Sequence, residues 1–367
     1  MRAVRSLSLV LALCSGMVQG QDRINAARLE RGDLEPFINQ LKQHGLGPVD
    51  YLVEKFKRHD VVLLGETHLI RENCRFIGRA VDPLYHRAGV RRLASEFMRS
   101  RNTDRANQLV TASEFDDALV VKLFKDLPWP TFGFREYMDI LRAVWKLNQS
   151  LPHEAEKMEI IGLDSNWNQY DLWFNIEDPA KKFQVRVDRE KHMTRSLVEG
   201  AFEKKKKTLV HIGIAHTVTC QGLRLGTVLR EKYGSRLFQV VLHHAFPSRR
   251  KPAKTTWVLE EAFAAAGGKP VGFDLADSPL GNLYDVGVAW WRMKKNARLS
   301  DFILGYVIFK PHEELNRVTW VDGFLDAKNF EESRAIAEKL KWIKKGECRS
   351  VDALEKKIKE RFNGSGE

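Results

Sequence analysis

Val61-Val-Leu-Leu-Gly-Glu-Thr-His68 is the stretch on which the fold turns. Val61 to Leu64 is apolar at every position, with no alternation of polar residues. Such a run reads as a strand buried on both faces, as in parallel sheets covered by helices. Gly65 follows, where a residue without a Cβ lets the chain turn sharply or another group come close. Glu66, Thr67 and His68 then place ionisable chemistry just beyond the strand.

Working outward, the same alternation repeats. Arg71 to Arg87 reads as a helix, and Arg92-Leu-Ala-Ser-Glu-Phe97 as the next strand. Helical pattern fills Thr103–Lys125 and Phe134–Leu147. Met158–Asp164 is a third strand, Ala180–Glu203 a charged helix, Thr208–Ala215 a fourth strand and Leu237–Leu242 a fifth. Val271–Leu275 adds a sixth. The fold class is therefore α/β: a mainly parallel sheet with helices on both faces. The span from about 103 to 151 exceeds a simple crossover and reads as a helical insert. A late hairpin is expected from Phe302–Phe309 and Val318–Phe324, and a charged helix from Asp352 to Glu367. With no repeat and no Pro/Gly/Ser-rich linker, residues 21–367 form one domain.

In parallel α/β sheets, ligands bind beyond the carboxyl ends of the strands. Here those ends carry Glu66 and His68, then Glu96, then Asp164, then His216. A lone polar residue at a strand end usually caps a helix or serves a loop. Neither Glu nor His is a favoured cap, and a lone carboxylate such as Glu96 is costly to bury. His68, His216 or a metal would partner it. His211 and His216 are five apart, so a strand would turn them to opposite faces. His216 then belongs to the site. His211 lies behind it, bonded to the backbone in preference to supporting the site. Trp129, Trp167, Tyr170, Trp173 and Phe174 either wall a pocket or pack the insert onto the sheet.

The 367 residues are 43% hydrophobic and 29% charged, as in ordinary globular chains. Met1 to Arg5 is basic, Leu7 to Cys14 is apolar, and Val18-Gln-Gly20 suits a signal peptidase. This pattern predicts a signal peptide at 1–20, cleavage after Gly20 and export to the periplasm or medium. Leu13 before Cys14 argues against a lipoprotein. Cys74, Cys220 and Cys348 then remain, enough for one bridge at most and without a Cys-x-x-Cys pair. Any metal site would draw on His, Glu and Asp. The formal charge of +12 suggests peripheral contact with an anionic surface, but the basic residues are scattered and no nucleic-acid motif is present. Gly-x-Ser-x-Gly, P-loop and His-Glu-x-x-His motifs are also absent.

With these residues in view, the chain resembles the superfamily that joins erythromycin esterases, ChaN haem-binding lipoproteins and Tiki metalloproteases. The likeness lies in Leu63-Leu-Gly-Glu-Thr-His68, Ala94-Ser-Glu-Phe97 and Ile212-Gly-Ile-Ala-His216. Asp188-Arg-Glu-Lys-His-Met193 is similar to an Arg-x-x-x-Met helix of the esterase branch, which adds Arg189. The span runs from about Asp60 to Phe246, with a fainter likeness around Gly272–Pro279. In the esterase branch, the resemblance implies that His68 or His216 acts as general base, supported by Glu66 and Glu96. In the Tiki branch it implies a divalent metal on the corresponding residues, and in the ChaN branch a bound haem.

The reading that results is a hydrolase of an ester or amide bond in a small-molecule or peptide substrate. Glu66, His68, Glu96 and His216 carry it, supported by Asp164, Arg189 and His211. In one version His68 activates water, Glu66 and Glu96 orient it, and His216 stabilises or protonates. In the other, Glu66, His68, Glu96 and His216 hold Mn²⁺, Zn²⁺ or Fe²⁺. The alternative is a non-catalytic haem- or iron-binding protein, with Tyr137, Met138 or Tyr170 as axial ligand. The sequence does not set the oligomeric state.

Overall fold

A computed structural model describes residues 23–127, 132–165, 167–168, 170–219, 222–245, 253–284 and 297–363. The signal segment, Trp129 and Cys220 lie outside these residues. The chain opens with a two-residue strand, β1 (Ile24–Asn25), then α1 (Glu35–His44) and α2 (Pro48–Phe56). The main alternation follows: β2 (Val61–Glu66), α3 (Arg71–Ala88), β3 (Arg92–Arg99), α4 (Thr103–Thr111), α5 (Asp117–Lys125), α6 (Arg135–Ser150), β4 (Glu159–Asp164) and α7 (Pro179–Leu197). Next come β5 (Thr208–Gly213), α8 (Ile214–Thr217), α9 (Leu225–Tyr233), β6 (Leu237–Leu242), α10 (Lys254–Ala265), β7 (Val271–Asp274), β8 (Leu283–Tyr284), α11 (Leu299–Phe302) and β9 (Gly305–Ile308). Helices α12 (Phe330–Lys339) and α13 (Val351–Asn363) end the described chain. No described helix is long and apolar enough to cross a membrane.

Seven strands form one sheet in the order β4-β3-β5-β2-β6-β9-β7, parallel throughout except for β7 against β9. The α/β reading and its mainly parallel sheet are thus what the chain forms. The late hairpin is not. Both edges of Gly305–Ile308 are taken, by β6 and by β7. Val318–Phe324 instead makes isolated bridging contact through Trp320 and Phe134 and buries Val318, Trp320 and Phe324.

Alternation within β2 sorts its side chains between two cores. Val62 and Leu64 of β2 join the cluster that includes α3 and α6, whereas Val61 and Leu63 join the one with α7 and α9. Both faces are covered, which is why β2 needed an unbroken apolar run. The same parity directs the ionisable residues at the strand ends.

Candidate active site

Glu66 shares the face of Leu64, and Leu64 is in register with His211 on β5. Parallel neighbours in register point to the same side, so Glu66 and His211 meet. The His211 Nε2–Glu66 Oε2 distance is 2.8 Å, and both residues are buried. The other oxygen of Glu66 accepts from the Tyr137 hydroxyl of α6 at 2.5 Å and lies 3.0 Å from Nδ1 of His68. Cys74 of α3 places Sγ 3.9 Å from Oε2. The partner of His211 is therefore a carboxylate, not the backbone that the sequence suggested. The reason is the two-residue offset between Leu64 and Glu66.

Glu96 lies on the opposite face. Pairing of β3 with β4 is regular to Ser95 and resumes at Arg99, so Glu96 sits in an irregular, bulge-like stretch. Its Oε1 accepts from Nη2 of Arg189 at 2.6 Å, and its Oε2 from the Gly213 N–H at 2.7 Å. Arg189 also donates from Nε to Asp164 at 2.8 Å. His216 stands on α8, just past β5, with Nε2 3.3 Å from Glu96 and Nδ1 2.7 Å from Glu190. Glu190 in turn accepts from Arg224 at 2.6 Å and from the Leu225 N–H at 3.1 Å.

His68 joins the two halves. A Cβ added at Gly213 would fall 2.7 Å from Cε1 of His68 and 3.1 Å from Oε2 of Glu96. Gly213 is thus the space in which His68 approaches Glu96. At Gly65 a Cβ would strike the Thr217 side chain at 2.6 Å, so close packing, not a turn, requires that glycine. Leu69, next to His68, has φ +70, a region costly for a residue with a side chain. Its N–H donates to the Tyr137 hydroxyl at 3.0 Å, which fixes the turn. The His68 side chain is 37% exposed. It opens on a cleft of about 200 Å³ with Glu96, Asp164 and Arg189, walled by Phe97, Phe132 and Trp342.

The electrostatics divide the two imidazoles. Burial alone would raise the Glu66 carboxyl, but His211 and His68 outweigh it and hold it below the usual value. Burial opposes ionisation of Glu96 too, and His216 and Arg189 hold it well below. Burial disfavours charge on His216, yet Glu190 and Glu96 push its pKa up to about 9. For His68, burial is opposed by its bond to Glu66 and by the charge of Glu96, and its pKa is raised. Burial, with Cys74 and Glu66, keeps Tyr137 protonated well beyond the usual range.

The structure therefore brings Glu66, His68, Glu96, His216, Asp164, Arg189 and His211 to one sheet edge, in two groups. The expected metal set of Glu66, His68, Glu96 and His216 does not close into one ligand sphere. Glu66 is committed to two histidines and a tyrosine, and Arg189 bridges Glu96 and His216 with Nη1 3.1 Å from His216 Nε2. A guanidinium in that position repels a cation, so these four residues do not fit a metal. Among the described residues, Glu66, Cys74 and His211 do lie closely enough to hold one, with donor atoms within 4.8 Å of one another.

Of the axial-ligand candidates, Tyr137 is buried and donates to Glu66, and Tyr170 packs on Phe174 at 4.7 Å. Met138 faces a separate cleft beside Arg135 and Arg142. Trp167 lies against Arg189, 5.2 Å from its guanidinium. The sequence reading missed Glu190, Arg224 and the tie of Tyr137 to Glu66. Glu190 had a signal. Arg189, Glu190, Met193 and Leu197 form one buried stripe on α7, with two charges on an apolar face.

No family model and no curated protein matches this chain. Solved structures do share the fold. A succinoglycan biosynthesis protein is 12% identical, with a TM-score of 0.53 over 77% of this chain and 98% of its own. At lower overlap stand an erythromycin esterase in its open conformation (12% identity, 71% and 92% of the two chains, TM-score 0.47) and a haem-binding ChaN of Campylobacter jejuni (14%, 55% and 89%, 0.35). At such identities the likeness is one of fold.

Proposed function

We propose that the protein is an exported hydrolase that cleaves an ester or amide bond in a small-molecule or peptide substrate, with His68 as general base. The contrast between His68 and His216 carries this reading. His216 is buried between Glu190 and Glu96, which favour its charged form, and it is not among the residues that line the cleft, so it is poorly placed to act as a base. His68 has Nδ1 anchored by Glu66 and is the imidazole that borders the cleft. A carboxylate on Nδ1 fixes the tautomer that leaves Nε2 able to accept a proton.

In the reaction, Nε2 of His68 takes a proton from water as the water oxygen bonds to the carbonyl carbon. The carbonyl π electrons move onto oxygen, and Arg189, which borders the cleft, faces the developing charge. Collapse breaks the bond to the leaving oxygen or nitrogen, which receives the proton from Nε2. Glu96 holds Arg189 in place and supports the imidazolium that forms on His68.

The test is hydrolysis of a panel of chromogenic esters and anilides by the wild type and by His68→Ala. Loss of about a hundredfold or more in kcat/KM is expected. No hydrolysis of any member by the wild type, or full activity in His68→Ala, would overturn the reading.

A further inference from the structure

His68 also borders a second, wider cleft of about 480 Å³. Arg317, Arg361, Asn316, His244 and His312 line it, and no carboxylate does so among the described residues. Arg317 donates to the Arg361 carbonyl at 3.4 Å, and its guanidinium lies 5.8 Å from the centre of the Phe362 ring. Burial and the charge of Arg317 both pull the pKa of Arg361 down. Two like charges thus line one cleft, and among the described residues neither has a carboxylate partner.

The segment bearing Arg317 is fixed to the turn after His68. Ile70 bridges to Arg317, the Arg71 N–H donates to the Asn316 carbonyl at 2.9 Å, and Asn316 donates to Glu72 from its N–H at 2.9 Å and from Nδ2 at 2.8 Å. On the far wall, Glu260 holds both the N–H and Nδ1 of His312. Repulsion between two positive groups on one cleft is a cost that a bound anion reverses through charge-assisted hydrogen bonds.

We propose that this cleft binds an anionic group, a carboxylate or a phosphate, on a substrate whose scissile bond lies at His68. The placement of the scissile bond rests on the hydrolase reading; the anion site stands on the cleft alone.

Calorimetric titration tests it with phenylacetate and phenyl phosphate against neutral phenylacetamide, on the full chain. The wild type should bind the anions roughly tenfold or more tightly than the amide. That preference should vanish in Arg317→Gln/Arg361→Gln and fade in high salt. Both arginines are exposed, so the double variant should melt like the wild type. Equal affinity for anion and amide, or a preference that survives in the double variant, would overturn the proposal. An intact anion preference without hydrolysis of any substrate would sink the hydrolase reading and leave the anion site standing.

Discussion

His216 Nε2 lies 3.1 Å from Nη1 of Arg189, so protonation of the imidazole sets two cationic groups together inside the protein. Glu96 and Glu190 make the contact tolerable, each within 3.3 Å of the imidazole. The folded pKa of His216 is about 9, against 6.5 for a free histidine. Its contribution to stability is therefore complete below about pH 6.5 and is lost as the pH rises through about 9. Thermal melts should show a decline between pH 7 and 9.5, and His216→Asn should flatten it. A wild-type melting temperature that is constant over this range would rule out a charged His216.

Activity should follow a bell-shaped pH profile. The acid limb reports the raised pKa of His68 and should lie above 6.5. The alkaline limb should fall near pH 9, as His216 loses the proton that balances Glu96 and Glu190. kcat/KM from pH 5 to 10 measures both. An alkaline limb unmoved by His216→Asn would detach it from that residue.

Gly213→Ala should inactivate the protein with little loss of stability. The backbone there has φ −64 and ψ 144, open to any residue, so the obstacles are the His68 ring and the Glu96 carboxylate. kcat/KM should drop about as far as in His68→Ala. Wild-type activity would mean that the close approach of His68 to Glu96 is not required.

His211→Phe removes the partner of a buried carboxylate oxygen. Removing one partner of this buried pair should cost about 3–5 kcal/mol, read by chemical denaturation. Activity should fall too, because Glu66 also anchors His68. A variant of full stability and full activity would make the 2.8 Å contact incidental.

Treatment with a chelator should leave hydrolysis within about twofold, since Arg189 bridges Glu96 and His216 where a cation would have to sit. Activity lost on chelation and restored by Mn²⁺, Zn²⁺ or Fe²⁺ would move the function to metal-assisted hydrolysis. Cys74→Ser then asks whether Glu66, Cys74 and His211 hold the ion.

Much of this architecture was legible in the sequence because period and composition are local. The Val61–Leu64 run, the strand from Arg92 and the helix from Arg71 needed no knowledge of distant residues. Parity also placed His211 on one face of β5, though not its bond, because register between strands is a tertiary property. His216 stands on a short helix, not at a strand end, since the chain turns after Gly213. Glu190 was hidden among the many charges of the helix read from Ala180 to Glu203. What pairs Tyr137 with Glu66 is the packing of α6 on the sheet, which no local pattern records.

Arg189 and Glu190 are consecutive on α7, and between them they hold Glu96, Asp164, His216 and the first turn of α9. An α-helix advances about 100° per residue. Deleting one residue between Asp178 and Arg189 would therefore rotate the whole stripe off the sheet edge, whereas a change of length before Asp178 leaves the register within α7 intact. Among diverged or engineered versions of this chain, single-residue insertions and deletions should be absent from the first half of α7.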